Sequence, residues 1–176
     1  SKRSKTPELT NVGSFEKCWK LRDGKWWMYK KASHDEMFSE LFVYELGCAL
    51  GMNMAIYERG EGYIKSLDFT NGASVNFEPA SSFVGDNDDY VVVYDNNMAL
   101  ISRGYPSKPG SKDMLISIFN ELMEEYPNYK LYIPEVTEEI VRDVIAKLNM
   151  KVRSQIIVDL VEGRYKMIAV SVRKIY

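Results

Sequence analysis

The stretch Trp26–Leu50, WWMYKKASHDEMFSELFVYELGCAL, constrains the fold of this chain more than any other. At its start Trp26, Met28 and Lys30 alternate with Trp27, Tyr29 and Lys31, the period of two expected of a half-buried strand. The period then changes. Met37, Leu41, Tyr44 and Cys48 recur at spacings of four, three and four, which places them on one face of a helix. Ser33 or Asp35 can cap that helix at its start, and Gly51 is placed to act as a left-handed cap at its end. Lys30 and Lys31 close the strand. Glu40 sits on the flank of the helix's apolar face, early enough to point back toward the strand end.

Asp23-Gly24 is the strongest hairpin signal in the chain, so Phe15–Leu21 and the strand beginning at Lys25 are expected to pair. Met52–Tyr57 and Tyr63–Phe69 read as a second hairpin across Arg59-Gly60-Glu61-Gly62, and Ala73–Phe77 as a short strand after the Asn71-Gly72 turn. Residues 1–90 therefore read as an antiparallel sheet with one packed helix, and residues 91–176 as a smaller, mainly helical region. The fold class is α+β. Within residues 91–176, a helix starts at Ser111 or Asp113 and runs to Tyr126. Another starts at Thr137, with Ile140, Val144, Ile145 and Leu148 inward. A third, Val152–Val161, is closed by Gly163, and the tail Tyr165–Tyr176 fits either a strand or a prolonged helix.

Composition excludes several function classes. With 23 basic and 25 acidic residues the net charge is −2 and the pI about 5.6, which argues against broad electrostatic binding to nucleic acid. No apolar run approaches a membrane span and no signal-peptide pattern opens the chain, so the expectation is a cytoplasmic protein without a membrane partner. Cys18, Cys48 and the sole histidine, His34, do not make a zinc site, and the two cysteines read as buried free thiols. Three adjacent residues, Ser33-His34-Asp35, cannot form a catalytic triad, and His34 reads as a solvent-facing residue at the helix start. The acidic run at Asp86, Asp88 and Asp89 lacks the spacing of an EF-hand. Asp95 follows the β-branched run Tyr90–Tyr94 and is flanked by Asn96-Asn97, a setting that fits a polar hairpin tip as well as a Mg²⁺ ligand.

The order TPELTNVGSFEKCWKLRDGKWWMYKKAS, FSELFVYELGCALGM, SLDFTNGASVNFEPA and YDNNMALISRGYP resembles the HipA-like kinases of bacteria and their mobile elements, over about Thr6–Gly163. The resemblance implies a kinase N-lobe-like sheet followed by a truncated C-lobe. In it Lys30 contacts the phosphates of ATP, with Lys31 as second choice, and Glu40 is its partner on the helix. Gly13, Ser14 and Lys17 fall where the phosphate-covering loop begins. Asp95 takes the place of the metal-binding aspartate, and Glu78–Ala80 that of the hinge.

The departure from the family is as informative. About fifteen residues separate Ala80 from Asp95, and none reads as the Asp-Arg-His-x-x-Asn type of catalytic loop. Phosphoryl transfer depends on positioning and metal charge, so a chain without that loop is expected to transfer phosphate poorly or not at all. The expectation is a catalytically dead HipA-like pseudokinase, with no catalytic residue assigned. It acts by protein binding as a regulator or inhibitor, a mobile-element counter-defence role of the anti-CRISPR type being one version. ATP and Mg²⁺ bind only if the cleft survives. The alternative is a minimal ATP/Mg-dependent phosphotransferase using Lys30, Glu40 and Asp95, with Asp86 or Asp88 as base. Trp19, Trp26, Trp27 and Tyr63 are candidate partner anchors if exposed.

Overall fold

A computed structural model describes residues 16–70, 72, 99–101, 103–105, 117, 120–121, 124–125, 127 and 134–175. The chain divides into two compact units, residues 1–102 and 103–176.

The first unit is built on a four-stranded antiparallel sheet, ordered β1-β2-β4-β3, from β1 (Lys17–Arg22), β2 (Lys25–Lys31), β3 (Tyr57–Arg59) and β4 (Tyr63–Leu67). The β1–β2 turn is the expected Asp23-Gly24, with φ of 49° and 75°, the doubly positive geometry that matches strand twist in a two-residue hairpin. Helix α1 (His34–Ala49) joins β2 to β3. Of the two expected caps, Ser33 is the one used. It accepts from the Glu36 amide while the Glu36 carboxylate accepts from the Ser33 amide, a complete capping box. Gly51, at φ 73°, takes the left-handed position after the helix.

Several boundaries differ from the sequence reading. Met52–Ile56 does not join the strand. β3 starts only at Tyr57, and β4 stops at Leu67 where Asp68 turns the chain by accepting from the Thr70 and Gly72 amides. Nor does α1 bury one face only. Met37, Phe38, Ser39, Glu40, Leu41 and Phe42 are all buried, so the helix is enclosed all round over Met37–Phe42, while Tyr44 is half-buried and both His34 and Cys48 are exposed. Adjacent apolar pairs, Met37-Phe38 and Leu41-Phe42, explain this. They spread apolar surface around the helix, and Phe38 and Phe42 stack at 5.6 Å. Cys18 is exposed as well, so neither cysteine is the buried thiol that was expected.

The second unit contains α2 (Glu138–Leu148) and α3 (Ser154–Ile175), which pack on one another. Thr137 caps α2 by accepting from the Ile140 amide, and Asn149, at φ 47°, ends it. Val141, Val144 and Ile145 form its buried stripe against a set that includes Ile157, Val158 and Leu160, with Ile140 and Leu148 only half-buried. Gly163 does not close a helix: α3 runs through it, and the tail to Ile175 is helical, not a strand. A glycine inside a helix costs about 1 kcal/mol, too little to stop one that has no proline after it and that gains an i,i+4 Glu162–Lys166 ion pair. The Arg153 amide donates to Tyr105 Oη at 2.8 Å, and the Arg153 guanidinium lies over that ring. Of the helix expected to end at Tyr126, residues 117, 120–121 and 124–125 are helical and the others lie outside the described residues.

Candidate functional site

Strand β2 is central, paired with β1 on one side and β4 on the other, and residues directly opposed across a ladder share a face. Lys30 stands opposite Lys17 and Ile64, and Met28 opposite Trp19 and Ser66. On β3, Tyr57 stands opposite Ser66. That set forms the inner face, and α1 adds Glu40 to it.

Met28, Lys30, Glu40, Tyr57, Ile64 and Ser66 line one small cavity of about 10 Å³. This is room for about one water molecule. Lys30 is 5% exposed and Glu40 1% exposed, and neither lacks an interaction partner. Two opposite charges are thus withdrawn from water into one apolar-walled space. Charges so enclosed need partners that compensate their lost hydration. Lys30 reaches this cavity from β2 and Glu40 from α1. As lined by the described residues, this cavity is far smaller than the roughly 300–1,000 Å³ of a small-molecule pocket.

Lys17 lies on the inner face at the start of β1 and is half-buried, whereas Lys31 is exposed on the opposite face. Gly13, Ser14, Glu78–Ala80, Asp86, Asp88 and Asp95 lie outside the described residues. Among the described residues no group of three His, Cys, Asp or Glu side chains can hold a metal ion. His34 is exposed, with Nδ1 3.0 Å from Asp35 Oδ1, and belongs to no wider constellation of described residues.

The outer face of the same sheet carries an arrangement the sequence reading missed. Register brings Cys18, Lys20 and Arg22 of β1 beside Lys25, Trp27, Tyr29 and Lys31 of β2, then Tyr63, Lys65 and Leu67 of β4 and Glu58 of β3. Tyr29 and Tyr63 lie with ring centroids 5.3 Å apart. Lys20 Nζ sits 4.6 Å from the Tyr29 centroid, and Lys65 Nζ 4.6 Å from that of Trp27. Glu58 accepts from Lys65 Nζ at 2.9 Å and holds the ammonium pKa above its ordinary value. The signal was present in the alternation of Trp27 and Tyr29, but only the strand register shows that Lys20 and Lys65 converge on those rings.

No helix among the described residues is long and apolar enough to cross a membrane. Neither a protein-family model, nor a curated protein, nor a solved structure matches this chain, so its resemblance to HipA-like kinases rests on the quoted motifs alone.

Proposed function

We propose that this chain is a kinase-like regulator or inhibitor that acts by binding another protein and transfers no phosphate. One observation carries the reading: the lysine and glutamate that a kinase would hold at an open nucleotide cleft are both buried and line a small cavity with room for about one water molecule. Burial of both residues beside the same small cavity supports a retained scaffold better than a working phosphate clamp. Large apolar side chains remain exposed in this unit at Leu21 (47%), Met52 (47%) and Ile56 (43%), and they are candidate anchors for a protein partner.

The test is a thermal-shift and calorimetric titration with ATP, with and without Mg²⁺, on wild type and Lys30→Ala. The expected result is no stabilisation of either protein at millimolar nucleotide. The phosphotransferase alternative is favoured by the placement of Lys30 and Glu40 on the end of a strand and on the next helix. Mg²⁺-dependent stabilisation of the wild type that disappears in Lys30→Ala would overturn the proposal in its favour.

A further inference from the structure

The outer face of the sheet separates charge in a way the whole-chain balance conceals. Lys20, Arg22, Lys25, Lys31 and Lys65 share it with a single strand carboxylate, Glu58, although the chain as a whole is slightly acidic. Glu16 and Asp23 flank β1 at its two ends. Lys20, Arg22, Lys25 and Lys31 are exposed, and the cation-rich face is open to solvent.

The second component is aromatic. Trp27, Tyr29 and Tyr63 lie on this face within the cation set, Tyr63 being 37% exposed. The Tyr63 ring lies against Gly60, in the space a Cβ there would need, 2.2 Å from the nearest ring carbon. A side chain at position 60 would displace the ring, so the glycine permits this placement. The two lysines that cover ring faces do so on long flexible stems. An anionic partner can draw their ammonium groups aside to its own charges while a planar group takes the vacated ring face.

A ligand complementary to this face needs repeating negative charge and repeating flat π-surfaces at once. Acidic peptides supply the first without the second. Single-stranded nucleic acid supplies both, because its phosphates pair with lysine and arginine and its unpaired bases stack on aromatic rings. Duplex nucleic acid hides its base faces and leaves the aromatics without a role. We propose that the outer face of the β1-β2-β4 sheet binds single-stranded nucleic acid, with Tyr29, Tyr63 and Trp27 as the stacking platform and Lys20, Lys31 and Lys65 as phosphate contacts. This surface is separate from the Lys30–Glu40 cavity and stands or falls independently of the protein-binding proposal.

The test is fluorescence anisotropy of a fluorescein-labelled oligothymidylate about ten nucleotides long, titrated with the full chain at several salt concentrations. Binding should weaken with salt, the log–log slope shrinking by about 0.7 for each phosphate-contacting lysine removed, as in Lys20→Ala or Lys31→Ala. Tyr63→Ala should weaken binding by roughly 5- to 150-fold, the loss of one base–aromatic stack. Lys20 and Lys31 are exposed, so their alanine variants keep the proposal testable if Tyr63→Ala unfolds, and circular dichroism checks each variant. Absence of binding at low salt would overturn the proposal. So would binding that is indifferent to Tyr63→Ala in a folded protein, or polyglutamate competing as well as unlabelled oligothymidylate. Either of the last two results would reduce the face to a general polyanion surface.

Discussion

Two buried polar residues of α1 mark opposite solutions to the same problem. Glu40 shares its enclosure with the oppositely charged Lys30, whereas Ser39, fully buried beside it, has an Oγ with no hydrogen-bond partner among the described residues. An unsatisfied buried hydroxyl costs about 1–3 kcal/mol, and alanine is also the better helix former. Ser39→Ala is therefore expected to stabilise the protein by about 1 kcal/mol, measured as a higher urea midpoint at unchanged m-value. A loss of stability would mean that the hydroxyl is satisfied. For the charged residues the expectation runs the other way. Lys30→Met or Glu40→Leu alone leaves its opposite buried without the countercharge and should cost about 3–5 kcal/mol. The double variant replaces both charges with apolar volume and should recover most of that loss, with a coupling energy above about 1 kcal/mol in a double-mutant cycle. Additive losses would show that the two residues do not act as a unit.

At the scale of elements, α1 is the piece on which the first unit depends, and its packing turns on close approach. Gly47 is buried in the last turns of the helix, and a Cβ built there would fall 2.2 Å from Met54 Sδ on the segment leading to β3. Gly47→Ala sets two effects against each other. Helix propensity gains about 1 kcal/mol, and overpacking costs about 1–3 kcal/mol, moderated by the flexibility of the methionine. Overpacking is expected to win, lowering the melting temperature by a few degrees, and adding Met54→Ala should reverse the sign by opening the space. A Gly47→Ala protein as stable as wild type would show that Met54 yields freely. The same element shows why one-face periodicity was misleading. Spacings of three and four predict a stripe, but α1 also carries Phe38 and Phe42 beside that stripe, and burial follows what surrounds a helix.

At the scale of the molecule, net charge and fold plan have to be read with their spatial arrangement. A net charge of −2 excludes a strongly basic protein, yet it says nothing about segregation, and the sheet collects five cations on one face. Likewise, a strand–helix order that brings a lysine to a glutamate does not by itself make a nucleotide site. A ligand bound only by the native state adds RT ln(1 + [L]/Kd), about 2.7 kcal/mol at a hundredfold excess over Kd. An ATP site of even modest affinity would thus raise the melting temperature visibly. The small size of the Lys30–Glu40 cavity predicts no such rise, and differential scanning fluorimetry checks it directly.

Local sequence was sufficient for the α+β class, the Asp23-Gly24 hairpin, a cap of α1 at Ser33 or Asp35, the Gly51 terminus of α1 and the Thr137 start of α2. Each of these depends on residues a few positions apart, where sterics and hydrogen bonding act without help from the rest of the chain. Local periodicity also placed Lys30 at a strand end and Glu40 on the next helix. It took the folded arrangement to show that these two residues line one water-sized cavity, that α1 is buried all round over Met37–Phe42, and that Cys18 and Cys48 face solvent. The same arrangement joined Lys20 and Lys65 to the rings of Tyr29 and Trp27. Exposure and cavity volume are set by which surfaces the chain brings together across long separations, and strand register is likewise a choice between distant segments. The continuation of α3 through Gly163 belongs with these: a local penalty of about 1 kcal/mol is overridden once the apolar stripe of the helix has a partner to pack on.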